Sequence, residues 1–215
     1  MSQCPYVGID MFDGITHERV LQMTDRERRW LHNIKKAFYA SDVAYAGGTP
    51  QDTCLPELCK AIDTAKTLRR SLRGEDTSSK DNKRRFIDFL NIQIPDVASG
   101  GLQVQLVDAR TKDKGSYSFA EILYAVRCMV HENENLDTAE QPDYHIQIDW
   151  SASPAGAIGV VNEDGRIVCS GRFLWHRLRC ILAPFIMGID GIMAAAHGEA
   201  FSILADPPLR SIHPD

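Results

Sequence analysis

Arg127 and His131 stand four positions apart in the run Leu123-Tyr124-Ala125-Val126-Arg127-Cys128-Met129-Val130-His131-Glu132-Asn133, and these residue types can do chemistry. A guanidinium is charged at every working pH and forks onto phosphate oxygens, whereas an imidazole gains or loses a proton near neutrality. Held side by side, the two could bind and cleave a phosphodiester. Catalytic groups must converge, so the next requirement is an element that places them together.

That element is a helix. Ser118 followed by Glu121 forms a capping box, in which the serine accepts from an early backbone N–H and the glutamate reaches back. A helix over 119–132 follows. At about 100° per residue, Phe119, Ile122, Leu123, Val126 and Val130 fall on one apolar stripe, with Arg127 and His131 along one edge and Tyr124 beside them. The pair therefore borders the core, where a groove or a subunit interface would bring it against a ligand.

The segment around 117–135 resembles the motif helix of the HEPN superfamily, whose signature is an arginine followed a few positions later by a histidine. Arg127-Cys128-Met129-Val130-His131 looks like an Arg-x3-His variant of it, of the type found in uncharacterised bacterial proteins. The resemblance implies a metal-independent endoribonuclease of a toxin or phage-defence system that leaves a 2',3'-cyclic phosphate. His131 would assist proton transfer at the ribose 2'-hydroxyl or the leaving oxygen, Arg127 would stabilise charge on the phosphate, and Tyr124 would orient the substrate. It implies no cofactor. The implied partners are RNA, a second copy of the chain whose motif edge completes a composite cleft, and an antitoxin protein.

Periodicity places the other elements. Thr24 with Glu27 three later caps a helix over 24–40, with Trp30, Leu31, Ile34 and Phe38 at helical spacing. After the Gly47-Gly48-Thr49-Pro50 loop, Leu55, Leu58, Ile62, Ala65, Leu68 and Leu72 mark a helix over 54–73 that Gly74 ends, its outward face carrying Lys66, Arg69, Arg70 and Arg73. A third helix spans 83–93 through Phe86, Ile87 and Leu90, and Pro95 and Gly100-Gly101 break it. Strands follow over 144–150, where Tyr144, Ile146, Ile148 and Trp150 alternate with polar residues, and over 157–161 and 166–170 around the turn Asn162-Glu163-Asp164-Gly165. From Arg172 the apolar spacing returns to helical over 172–197. Pro184 is expected to kink or split this helix, and the helix is expected to pack on the motif helix. Arg172, His176 and Arg179 read as its charged rim. His145 reads as a solvent-facing strand residue.

Composition narrows the classes. With 44% hydrophobic and 25% charged residues in 215, the chain can bury a core and is not of disordered type. A net charge of -5 opposes a non-specific nucleic-acid binder. The basic side is the N-terminal part: residues 1–90 hold fifteen Lys or Arg against thirteen Asp or Glu, and 91–215 hold nine against sixteen. The clusters Lys66 to Arg73 and Lys80 to Arg85 read first as solvated helix faces, reaching RNA phosphate only if they face the way of Arg127. None of the cysteines 4, 54, 59, 128, 169 and 180 has zinc-knuckle spacing, so no metal is called; Cys128, Cys169 and Cys180 read as reduced core thiols. Met1 to Asp13 lacks a secretory pattern, and the apolar run Cys180 to Ile189 is too short to span a bilayer. A cytoplasmic protein with no membrane partner is the expectation.

The resulting expectation is a mainly α single domain over 1–215: a HEPN-like helical domain with a small antiparallel sheet inserted between the motif helix and the C-terminal helix. Two functions follow, an endoribonuclease and a non-catalytic dimerisation or interaction module. In the second, Arg127 and His131 make structural contacts, the arginine with Glu132, Glu134 or Asp137 and the histidine with the helix dipole.

Overall fold

A computed structural model describes residues 11–48, 50–78, 81–93, 103–107, 114–130, 145–151, 158–161 and 166–196. The chain is mainly helical there, with a small sheet. A 3-10 turn at Met11–Gly14 leads into α1 (His17–Gln22), α2 (Asp25–Ala46), α3 (Pro50–Leu72) and α4 (Asn82–Gln93). After β1 (Gln103–Val107) and β2 (Lys114–Ser118) comes the motif helix α5 (Phe119–Val130). Three strands follow, β3 (His145–Asp149), β4 (Ile158–Val161) and β5 (Arg166–Ser170), and then α6 (Gly171–Met187) and α7 (Ile189–Ala196).

Helices α2 and α3 form a long hairpin locked at its open end by one carboxylate. Thr24 donates to Glu27 Oε2 from both its backbone N and Oγ1 at 2.8 Å, and Glu27 N donates back to Thr24 Oγ1 at 3.3 Å, completing the capping box. Ser71 Oγ at the far end of α3 donates to Glu27 Oε1 at 2.7 Å, so the start of α2 is tied to the end of α3. Pro50 opens α3 at the position where a missing N–H costs no helical bond. Gly74, at φ 68°, closes it: its N–H reaches Ser71 O at 2.9 Å and Glu75 N–H reaches Arg70 O at 2.9 Å, a Schellman pattern that needs a residue at ease with positive φ.

One hydrophobic core joins these helices, with Ile34, Leu55, Leu58, Ile62, Leu68, Phe86, Leu90, Ile122, Leu123, Leu174 and Phe185 among its fully buried side chains. Eight of the twelve residues of α5 are buried, far more than one stripe. The helix is covered by α3, α4 and strand residues, so its apolar surface extends round to Ala120, Ala125 and Cys128. The Ser118–Glu121 capping box is present, with Ser118 N and Oγ donating to Glu121 Oε2 at 2.7 and 2.9 Å.

Several expectations are corrected. The sheet is mixed, in the order β3-β5-β4: β4 and β5 form the expected antiparallel hairpin, but β3 adds to the other edge of β5 in parallel. Two-residue alternation reports which side chains share a face; it is silent on edge and direction. The antiparallel hairpin β1–β2 ahead of α5 was not anticipated, although Gln103-Val104-Gln105-Leu106 alternates over a few residues. The C-terminal helix does not break at Pro184. It runs on to Met187 and bends by 43° at Gly188, because Pro184 removes a single ladder amide while buried Ile181, Leu182, Phe185 and Ile186 hold both sides of it. Helix α6 packs chiefly on α3, and it touches α5 through the edge-to-face pair Phe119–Phe173 at 6.0 Å.

Arg179 is not part of a charged rim. It is 8% exposed, ion-paired with Asp42 and stacked over Phe38 and Trp175 at 4.4 and 4.9 Å, which clamps α6 to α2. Trp175 completes the clamp by donating from Nε1 to Ser41 Oγ at 3.1 Å and stacking on Tyr45 at 3.8 Å. Cys54, Cys59, Cys128 and Cys169 are buried free thiols, but Cys180 is disulfide-bonded, contrary to its reading as a reduced core residue. Among the described residues no single helix is long and apolar enough to cross a membrane, and the bent pair α6 and α7, which passes by length and composition, is packed into the core.

Two outcomes follow. A Cβ at Gly171 would lie 2.4 to 2.8 Å from the Trp150 ring, which packs against the start of α6. Gly171→Ala is expected to cost about 1–3 kcal/mol in urea denaturation and to alter the near-UV signal of Trp150. Burial opposes ionisation of Glu27, but its hydrogen bonds from Ser71 and Thr24 outweigh that and hold its pKa below 4.5. A depressed folded pKa contributes stability above the unfolded value that is lost as the pH falls through the folded one. Wild-type protein should therefore lose more stability between pH 6 and pH 3 than Glu27→Gln, which should cost about 0.5–2 kcal/mol near neutrality.

Candidate functional site

Arg127 is the only basic residue of α5, one turn from its described end, and the near-complete burial of that helix leaves its side chain 11% exposed. A desolvated guanidinium requires a counter-charge, and α3 supplies it: Arg127 Nε donates to Asp63 Oδ2 at 2.6 Å. The other oxygen of the same carboxylate, Oδ1, takes Lys66 Nζ at 2.9 Å, and Lys66 also donates to Asn82 Oδ1 at the start of α4. Helices α3 and α5 thus meet at one carboxylate, and Lys66 links it to α4.

Aromatic faces complete the floor. Phe86 of α4 lies beside both cations, with Lys66 Nζ and the Arg127 guanidinium each 5.8 Å from its ring centre, and the Tyr124 ring centre stands 5.6 Å from the same guanidinium. Tyr124 itself is buried at 4% exposure and packed edge-to-face on Phe86, so it backs Arg127 from within the core and is not a lining residue of the cleft.

Above this floor lies a cleft of about 340 Å³, lined by Asp63, Lys66, Thr67, Arg70, Thr77, Ser78, Asn82, Arg85 and Arg127. Its wall is the turn after α3. Arg70 Nε donates to Asp76 O at 2.7 Å and pairs with Glu75 at 3.1 Å, while Arg85 pairs with Asp76 at 3.2 Å and donates to Ser78 O. Asp76 is exposed, yet hydrogen bonds from the Ser78 side chain and backbone, then from Arg85, hold its pKa down to about 2. A larger groove of about 620 Å³ lies at the end of α3 and α7, but among the described residues its lining, Gly188, Gly191, Ile192, Ala195 and Ala196 with Arg73, carries no acid, base or nucleophile.

The electrostatics of the floor are uneven. Burial works against the charge on Arg127, but Asp63 overcomes it and the arginine pKa rises above its ordinary value. For Lys66 burial prevails: despite Asp63, and with Arg127 and Arg85 adding repulsion, its pKa falls below the ordinary lysine value. One carboxylate serves two buried cations, and the more delocalised one holds it the more strongly. No protein-family model, curated protein or solved structure matches this chain. The site is therefore read from its own chemistry.

His131, with Glu132, Glu134 and Asp137, lies outside the described residues, as do the side chain of His145 and residues 1–10; the structure locates Arg127 and Tyr124 alone among the sequence-derived site residues. It brings Arg127 together with Asp63, Lys66, Asn82, Arg70 and Arg85, which were not assigned to the site. Lys66 corrects the reading of an outward basic face on α3: it is 6% exposed and points under α4. The available signal was its position four residues after the buried Ile62, with Asp63 three before it at ion-pair spacing. Nothing in the sequence indicated that Asp63 would also meet a residue sixty-four positions away.

Replacing Asp63 by Asn leaves two buried cations with no anion. It is expected to cost about 2–4 kcal/mol in chemical denaturation, short of a fully buried pair because the Asp63 side chain retains 22% exposure. The same change removes the interaction that raises the Lys66 pKa, so the Lys66 Nζ resonance should titrate at lower pH than in the wild type.

Proposed function

We propose that this chain is a HEPN-like, metal-independent endoribonuclease in which Arg127 and His131 act on a scissile RNA phosphodiester. The observation that carries the reading is that Arg127 opens into a cleft it shares with Lys66, Arg70 and Arg85, facing a single lining carboxylate. Cationic groups preorganised in a partly dehydrated site stabilise the extra negative charge of a pentacoordinate phosphate more strongly than they would in water. The overall charge of -5 is no obstacle, because binding is governed by the local field in the cleft. In this mechanism His131 takes the 2'-hydroxyl proton or returns one to the leaving oxygen, Arg127 steadies the equatorial oxygens, and Tyr124 fixes the guanidinium from behind. The product carries a 2',3'-cyclic phosphate. A homodimer that apposes two motif edges would close the cleft from the second side, and an antitoxin protein would block it.

A second reading has one observation in its favour. The 2.6 Å contact of Arg127 with Asp63 is also what a structural ion pair in a non-catalytic interaction module requires. Purified protein incubated with mixed cellular RNA in EDTA separates the two. Cleavage with cyclic-phosphate ends in the wild type, and a fall of about 100-fold or more in both His131→Ala and Arg127→Lys, supports the nuclease. Arg127→Lys keeps a charge for Asp63 while losing the fork. Intact RNA with folded wild-type protein supports the module.

A further inference from the structure

The ion-pair arrangement beneath the cleft has more cation than its structural role requires. A single arginine would satisfy Asp63, yet Lys66 is buried against the same carboxylate, leaving an excess positive charge in a poorly hydrated place. Such an excess is costly unless an anion relieves it. The donors are also incompletely used. A guanidinium has five N–H groups; Arg127 gives Nε to Asp63 and a hydrogen bond to the Cys128 sulfur, which leaves donors over. An ammonium has three, and Lys66 gives one to Asp63 and one to Asn82. Both side chains line the cleft.

We infer that Lys66 and the terminal nitrogens of Arg127 together grip one phosphodiester of a single-stranded RNA, with Asp63 fixing the two cations and Arg70 and Arg85 at the mouth receiving the neighbouring phosphate. Lys66 is thereby a substrate-binding residue. The choice of RNA as the ligand rests on the nuclease reading above; the receptor itself rests on the geometry. A cleft of about 340 Å³ has room for a phosphate with its sugar. At the floor Asp63 takes one donor from each cation and Asn82 a second from Lys66, and both side chains still line the cleft. At the mouth, Glu75 and Asp76 would yield the exposed sides of Arg70 and Arg85 to the incoming strand.

Binding can be measured without cleavage by using a short fluorescent oligonucleotide of 2'-O-methyl ribose, which lacks the attacking hydroxyl. By fluorescence anisotropy at low salt, Lys66→Met in the full chain is expected to weaken binding about tenfold or more and to reduce the slope of log affinity against log salt by about 0.7, the contribution of one phosphate contact on a single strand. Thr67→Glu, which sets a carboxylate in the cleft from the surface of α3 without touching the core, should abolish binding and guards against a Lys66→Met protein that fails to fold. Lys60→Met, on an exposed side chain of the same helix, should bind as the wild type does. Wild-type protein that does not bind the oligonucleotide, or Lys66→Met and Thr67→Glu proteins that bind it unchanged, overturns the receptor. If the wild type cleaves RNA and both variants cleave equally well, the receptor fails while the nuclease stands. If Lys66-dependent binding occurs without any cleavage, the receptor stands and the nuclease fails.

Discussion

A charged residue on a buried helix must find an opposite charge, and that constraint organises the centre of this protein. Helix α5 is covered on nearly every side, so the guanidinium of Arg127 cannot simply turn to water. Asp63 meets it from α3, and once that carboxylate is committed it also draws in Lys66, which in turn reaches Asn82 at the head of α4. Leaving any one of these groups unpaired in a low-dielectric setting costs more than the pair itself gains over water, so the three helices are held in register by the penalty for separating them. The cleft exists because the same register brings the ends of α3 and α4 together under the Glu75–Ser78 turn.

The same physics recurs at two other joints. Arg179 of α6 is sealed against Asp42 of α2 beneath aromatic faces, and Glu27 at the start of α2 receives Ser71 from the end of α3. In each case a charge is placed where hydrocarbon surrounds it and is satisfied by a residue remote in sequence. Apolar burial supplies the bulk of the stabilisation but is tolerant of sliding between helices; the polar contacts are short-ranged and directional, so they select one arrangement. At the Arg127 joint the selection has a second consequence, since both cations also line the cleft.

Local elements were legible wherever their cause is local. The boxes Thr24–Glu27 and Ser118–Glu121 need only residues three apart, and both helix starts lie where those residues put them. Gly74 ends α3 because only the residue at that position has to accept positive φ. Helix periodicity located α2, α3, α4 and α5, strand alternation located β3, and the turn residues 162–165 located the hairpin strands β4 and β5. Where the cause is not local, the reading failed. Lys66 looked solvent-facing because a lysine ordinarily is, and the alternation of β3 could not reveal that it would join β5 in parallel. Pro184 looked like the break in the C-terminal helix, yet packing on both sides carried the helix past it to Gly188.

Residue order alone settled the helical character of the chain, the caps and turns that divide it, and the singling out of Arg127 as a cation on an otherwise apolar helix. These depend on hydrogen bonds and steric preferences that act over four or five residues. Packing settled which acid would face Arg127, that Lys66 would be buried and share it, and that Arg70 and Arg85 would turn to the same cleft. Charges on one helix find partners on another only after the cores between them have closed, and the direction of a long side chain is decided by what that closure leaves open.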